Sequence, residues 1–344
     1  SLPSKVIQMN NEVDSRLHIC SFIARRSLLT HFIFLFSLIG IASRVNGDMA
    51  DPVWNAFAGR ETLIIGEVMD RVPAGEPVWF RVTKERRTVA SGTARVGPDG
   101  HMEVPVAMPG MKSGFVLPFE VELRAGSEQG RLLRQGLLWA FSEQPFDPER
   151  KLSSSRSLLL YDPEGRTDAA LRSISLVHES LERPSLLDGV TNALILVGEG
   201  VSLTSERGLA ERLAAAVVRG NRVLLLAPSE GQLEPPSAWR VLLAGNAQDV
   251  LRKQEAKTLT YKLDLNRWPP DGNAIRMRFH LVAERDAAVF DVTPNAGCEA
   301  VGWDDAASGG RFLACGLGII SKWSETPAAR WLLAEMVEQL AKED

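Results

Sequence analysis

The stretch ALILVGEGVSLTSERGLAERLAAAVVRGNRVLLLA, residues 193–227, decides the fold. It opens on five apolar residues, Ala193 to Val197, the mark of a strand buried on both faces. Gly198-Glu199-Gly200 then reads as a tight turn from strand into helix. Thr204 or Ser205 can cap that helix, because a side-chain oxygen accepts an orphan N–H, and Glu206 suits the positive end of its dipole. Leu209, Leu213 and Val217 lie four apart on one face, and Gly220 stops the helix. Arg222 to Ala227 is a second buried strand. Strand, helix and strand in so short a span make a right-handed crossover onto a parallel sheet.

The pattern extends both ways. Upstream, Leu158-Leu159-Leu160-Tyr161 is another all-apolar run, ended by Asp162-Pro163-Glu164-Gly165 and followed by a helical pattern of Ala170, Leu171, Ile174 and Val177. Downstream, residues 275–304 read as two or three antiparallel strands, which breaks the alternation near a sheet edge. Residues 311–320 read as a strand with glycines at 316 and 318. Thr326-Pro327 opens a last helix, Pro being tolerated in the first turn, with Leu332, Met336 and Leu340 toward the core and Leu333 and Val337 beside them. A hairpin around Asp305 to Gly310 sets Cys315 opposite position 300 and Cys298 opposite 317, an offset that disfavours a disulfide.

Residues 48–146 follow another rhythm. Leu63-Ile64-Ile65, Val78 to Val82, Val89 to Val96, Met102/Val104/Val106, Phe115 to Leu123 and Leu137 to Phe141 are short apolar runs between turn signals such as Gly97-Pro98-Asp99-Gly100. In the fifth run Phe119, Val121 and Leu123 share one side while Glu120 and Glu122 take the other, the period of a half-buried strand. Six or seven strands without a helix predict an immunoglobulin-like antiparallel β-sandwich, with Trp79 and Trp139 in its core and Lys84, Arg86 and Arg87 at a solvated hairpin tip. Lys151-Leu152-Ser153-Ser154-Ser155 is a polar joint to the α/β part, 150–344.

The chain has 344 residues, 45% of them hydrophobic and 24% charged, with a net charge of −4. That excludes a disordered chain and a polytopic membrane protein, and offers no basic surface for nucleic acid. Arg25 and Arg26 precede the apolar run 28–42, LLTHFIFLFSLIGIA, and polar residues follow it. Residues 1–47 therefore read as a secretory signal, with an uncleaved N-terminal anchor as the alternative and membrane contact only through 28–42. Five side chains of this segment are basic and two acidic, so its loss takes the net charge from −4 to −7.

The α/β part resembles the class I glutamine amidotransferase-like superfamily. The resemblance rests on Leu196-Val197-Gly198-Glu199-Gly200 with the following helix, on the strand at 222–227, on Gly-Arg-Phe-Leu-Ala-Cys-Gly-Leu-Gly at 310–318, and on the helix carrying Ala328-Ala329-Arg330-Trp331-Leu332-Leu333. It implies a flavodoxin-like, mostly parallel, three-layer α/β fold. It also implies a cysteine on the turn after 222–227 and a late His-x-Glu pair. That turn reads Ala227-Pro228-Ser229-Glu230-Gly231, and His280 is followed by Leu281-Val282. The amidotransferase chemistry is expected to be absent, and the domain degenerate. A sandwich joined to such a domain behind an export signal looks like bacterial envelope proteins.

Ser229 stands in an alanine variant of the G-x-S-x-G turn, which needs a helix after it and a base beside it. Pro235-Pro236 breaks such a helix, and the histidines beyond the leader are His101, His178 and His280. Ser229 is expected to be a loop residue rather than a nucleophile. Asp162, Glu164, Glu199 and Glu230 follow strand ends and can gather at the carboxyl edge of the sheet, where ligands of open α/β sheets bind. Such a cluster suits a divalent cation, but solvated acidic loops are the simpler expectation. Gly198-Glu199-Gly200 lacks the rest of a dinucleotide fingerprint. Trp268-Pro269-Pro270-Asp271-Gly272 and Trp323 look like exposed aromatic loops. The expected protein is exported and non-catalytic, with no cofactor, no metal and no nucleic acid. Its partner is an envelope protein or a carbohydrate ligand. A hydrolase acting through Ser229 or an acidic metal site is the alternative, and a membrane-anchored subunit of an envelope complex is another.

Overall fold

The computed structural model describes residues 53–67, 72–98, 101–146, 156–235, 240–244, 276–284 and 287–341. The apolar run 28–42, the joint at 151–155 and the Trp268 loop lie outside the described residues. Among those described, no helix is long and apolar enough to cross a membrane. The fold is β-rich, with mixed sheets and an α/β portion.

The N-terminal part has seven strands: β1 Val53–Phe57, β2 Glu61–Glu67, β3 Pro77–Lys84, β4 Arg87–Arg95, β5 His101–Ala107, β6 Val116–Ala125 and β7 Leu132–Phe141. Five form a sheet in the order β1-β7-β6-β3-β4, and β2 pairs with β5 in a separate ribbon. Alternation decides which side chains go inside: Phe80 and Val82, Phe119, Val121 and Leu123, and Leu138 and Ala140 meet Met102, Val104 and Val106 in one core. Burying each of these side chains larger than alanine is worth roughly 1.5–3 kcal/mol. The β3–β4 hairpin turns through Glu85 and Arg86, both at positive φ, 49° and 67°, and its tip is exposed as expected. Such a pair of left-handed residues matches the twist of the flanking strands.

Two expectations for this part are corrected. The N-terminal strands are not wholly antiparallel, because β1 runs parallel to β7, with Val53 opposite Leu137 and Phe57 opposite Phe141. Nor are both tryptophans in its core. Trp79 is half-buried on the outer face beneath the Arg81 guanidinium, 5.5 Å from its ring, and half-buried Trp139 packs against the α/β core.

The α/β part continues with β8 Ser157–Tyr161, α1 Arg166–Ser173, β9 Glu179–Ser180, β10 Ala193–Val197, α2 Leu209–Val218, β11 Arg222–Leu226, β12 Gln232–Leu233, β13 Arg240–Ala244, β14 Arg278–Glu284, β15 Ala287–Thr293, β16 Ala300–Asp305, β17 Gly310–Cys315 and α3 Pro327–Ala341. Seven of these strands form a sheet in the order β13-β16-β17-β11-β10-β8-β9. The pairs from β17 to β9 are parallel; β16 and β13 add an antiparallel edge. Successive residues of the central strands alternate between two cores. Leu194, Leu196, Leu224 and Leu226 face α1 and α3, whereas Ile195, Val197, Val223 and Leu225 face α2 and a small sheet, β12-β15-β14. Burial on both faces is what an unbroken apolar run encodes.

The hairpin register holds as expected, with Ala300 opposite Cys315. The offset partner differs: Cys298 exchanges backbone hydrogen bonds with Phe279 instead of facing 317, and both cysteines are free thiols. Helix α1 ends earlier than its pattern suggests. Ser175 takes a positive φ of 56°, and Val177 is 86% exposed. Helix α2 starts at Leu209, five residues after Thr204 and four after Ser205, with Gly208 at φ 75° in the cap position and no side-chain cap. Trp323 is not an exposed loop aromatic: it is buried, and its indole N–H donates to Ser173 Oγ at 3.0 Å.

The two parts share packing. Phe141 of β7 belongs to the α/β core, its ring 5.4 Å from Trp331. The Trp331 indole N–H donates to the Ser142 carbonyl at 3.1 Å. Arg330, 7% exposed, donates to the carbonyls of Trp323 and Glu143, and its guanidinium lies over Phe57 and Trp323, 4.7 and 5.4 Å from the ring centroids.

Candidate functional site

The carboxyl ends of β8, β10 and β11 deliver Asp162, Glu199 and the pair Ser229-Glu230 to one edge of the sheet. Asp162 lies against the turn after β10: a Cβ added at Gly198 would stand 2.6 Å from its Oδ1 and 2.9 Å from Thr167 Oγ1. Only glycine allows this approach. Asp162 Oδ2 accepts the N–H of Asp168 at 2.8 Å, so a carboxylate of the chain itself meets the positive end of α1. Its Oδ1 is buried without a hydrogen-bond partner among the described residues.

Glu199 is 2% exposed and fully engaged. Its Oε1 accepts from Arg276 Nη1 at 2.5 Å and from the Ser321 N–H at 3.2 Å; its Oε2 accepts the Ile320 N–H at 2.6 Å. Its own N–H donates to Thr167 Oγ1 at 3.1 Å. One carboxylate thus ties together the end of β10, the approach to β14 and the turn after β17. Glu164 pairs with Arg166. The acidic residues do not converge, and among the described residues no three His, Cys, Asp or Glu side chains could hold a metal ion.

Ser229 and Glu230 are exposed. The Ser229 N–H donates to the Val201 carbonyl at 3.1 Å, and Glu230 Oε1 accepts the Ser202 hydroxyl at 2.6 Å. The chain then enters β12 rather than a helix, so no helix dipole is aimed at Ser229. His178 is held elsewhere. Its Nδ1 meets the Leu176 carbonyl at 2.9 Å and its Nε2 meets Asp168 Oδ1 at 2.8 Å. The bond from His178 holds the Asp168 carboxyl below its ordinary value, with Arg172 contributing. His280 is exposed on β14, in register with Asp291, and His101 belongs to β5. Cys315 is no substitute nucleophile: burial pushes its thiol up to about 12, and a protonated thiol does not attack. Burial also raises Cys298.

Beside this edge lies an open groove of about 920 Å³, between the start of α2 and the strands β12 and β15. Arg207 and Glu211 stand on one wall; Gln232, Glu234 and Asp291 stand on the other. Neither the groove nor the Glu199–Arg276 pair was visible to sequence reasoning. The pair spans 77 residues, and β12 is two residues long. The faint signal was Gln232-Leu233 directly after the Ser229 turn, a strand too short to carry a period.

No family model matches the chain, and no curated protein matches it. Two solved structures give faint similarities. A sialyltransferase from Photobacterium damsela is 6% identical at a TM-score of 0.20, over 51% of this chain and 35% of that one, so the match spans about a third of the transferase. The sialic acid binding region of a Streptococcus sanguinis adhesin is 13% identical at 0.17, over 78% and 76% of the two chains. Neither similarity bears on fold or ligand here.

Proposed function

We propose that the chain is an exported, non-catalytic binding or assembly protein of a bacterial envelope. In this reading an immunoglobulin-like sandwich is joined to a flavodoxin-like domain, a degenerate relative of class I glutamine amidotransferases. One observation carries the non-catalytic reading: Glu199 and His178 are bonded into the fold and Ser229 stands exposed without a helix behind it, while the groove beside this edge stands open. Glu199 and His178 bind backbone and charged partners, and Ser229 is followed by a strand. The order of the parallel strands, β9-β8-β10-β11-β17, supports the flavodoxin-like assignment, since in chain order it is 2-1-3-4-5. Export is supported by the basic-then-apolar leader, with residues 28–42 as signal or anchor. An envelope protein or a carbohydrate remains the expected partner class.

A fluorophosphonate probe tests the catalytic half of the reading. It is expected to leave the protein unlabelled, and Ser229→Ala is expected to change neither stability nor ligand binding. Covalent labelling at Ser229 would overturn the non-catalytic assignment. Fractionation with N-terminal sequencing tests export: a cytoplasmic protein with residues 10–40 intact contradicts it.

A further inference from the structure

The groove between α2 and the small sheet is large enough for a ligand and has a definite electrical character. Its volume of about 920 Å³ falls within the roughly 300–1,000 Å³ of ligand clefts. Three carboxylates, Glu211, Glu234 and Asp291, line it against one guanidinium, Arg207. Glu211 and Glu234 are exposed, and Asp291 is half-buried. Asp291 Oδ1 accepts the Gln232 amide at 2.8 Å, which fixes the carboxylate in the wall and leaves its second oxygen for a ligand. The start of α2 adds about half a positive charge, so the described lining residues stay net negative even with Arg207 counted.

The arrangement also narrows the ligand class. The three carboxylates stand on α2, after β12 and on β15, and among the described residues none belongs to a set that could hold one metal ion. Three carboxylates on three different elements match a chain bearing several cations. Among the described residues no aromatic side chain lines the groove to offer a sugar ring a flat surface. An acidic polymer would meet net repulsion.

We infer that this groove binds an extended basic peptide segment, its lysine or arginine side chains reaching Glu211, Glu234 and Asp291. The inference rests on the binding-protein reading above and names the ligand of that site.

Fluorescence anisotropy on the full chain tests it, with a labelled decapeptide of alternating glycine and lysine as the probe. Oligoglutamate, a neutral maltooligosaccharide and spermine are the competitors. The peptide is expected to bind at low salt and to be released at about 1 M salt, where the Debye length is about 3 Å. Glu211→Gln, on the exposed face of α2, is expected to weaken binding about two- to fivefold, as for one exposed ion pair. Adding Glu234→Gln and Asp291→Asn is expected to weaken it more than about tenfold. Glu76→Gln, exposed on the sandwich, is the charge-matched control and leaves binding unchanged, and circular dichroism verifies that each variant folds. Absence of peptide binding at low salt, or equal binding by the triple variant, overturns the inference. Preference for the oligosaccharide or oligoglutamate overturns the cationic class while leaving a binding groove intact. Spermine binding as tightly as the peptide overturns the peptide assignment.

Discussion

At Glu199 a carboxylate is held at 2% exposure by one guanidinium and two backbone N–H groups. Glu199→Gln leaves the Arg276 guanidinium without its counter-charge and turns an NH2 group toward a donor that had an acceptor, so it is expected to cost about 2–4 kcal/mol in urea denaturation, and Glu199→Ala, which strands all three donors, more. A loss under about 0.5 kcal/mol would contradict the clamp. Ionisation at Asp168 gives a second prediction. Its folded-state carboxyl is lowered by His178, so it adds stability above the unfolded value and loses it as pH falls through the folded one. Glu143, lowered mainly by its bond from Arg60, acts in the same direction. The denaturation midpoint is expected to be level above about pH 5 and to fall below about pH 4, and Asp168→Asn to make that fall shallower. Thiol counting gives a third check. Cys298 and Cys315 are expected to titrate as two free thiols in denatured, unreduced protein, with Cys315 shielded from alkylation in the native state.

Elements in this protein end where backbone geometry demands it. Helix α2 waits for Gly208 because a left-handed residue can set the helix direction there, and Ser202 Oγ instead accepts the Ser205 N–H in the preceding loop. Strand β17 ends at Cys315 because the next residue must let another segment in. The Gly316 carbonyl accepts the N–H groups of Arg276 and Met277, and its own N–H donates to the Glu299 carbonyl. A Cβ at Gly316 would run into the Met277 carbonyl oxygen. Gly316→Ala is therefore expected to cost about 1–3 kcal/mol, as overpacking does. It should also loosen the segment that delivers Arg276 to Glu199. A double-mutant cycle with Glu199→Gln then shows coupling, and strict additivity would refute the link.

The N-terminal strands and the α/β part are joined through α3. Arg330 and Trp331 reach from it to Phe57, Phe141, Ser142 and Glu143 of the N-terminal part, so partial unfolding of that part would expose apolar surface of the α/β core as well. Calorimetry is expected to show one transition. Arg330→Ala removes two hydrogen bonds and two cation–π contacts, and is expected to cost about 2–4 kcal/mol and to broaden or split that transition. Two separate transitions in the unaltered protein would contradict the joint.

By itself the sequence determined what depends on neighbours along the chain. The runs at 158–161, 193–197 and 223–227 announced strands buried on both faces because they are unbroken apolar runs. Alternation at 119–123 assigned inside and outside. The short loop at 305–310 set Ala300 opposite Cys315, since a tight turn leaves few registers. Tertiary structure alone decided the rest. Val177 continues the helical period of Ala170 and Ile174, yet it is in water because Ser175 bends the chain away. Trp139 reads as sandwich core, yet its outward face meets the α/β part. The parallel β1–β7 pair, the Glu199–Arg276 clamp and the acidic groove join residues far apart in sequence. Their charges carry no mark of a partner until the sheet order brings the strand ends together, because a contact across a fold is set by topology and not by local period.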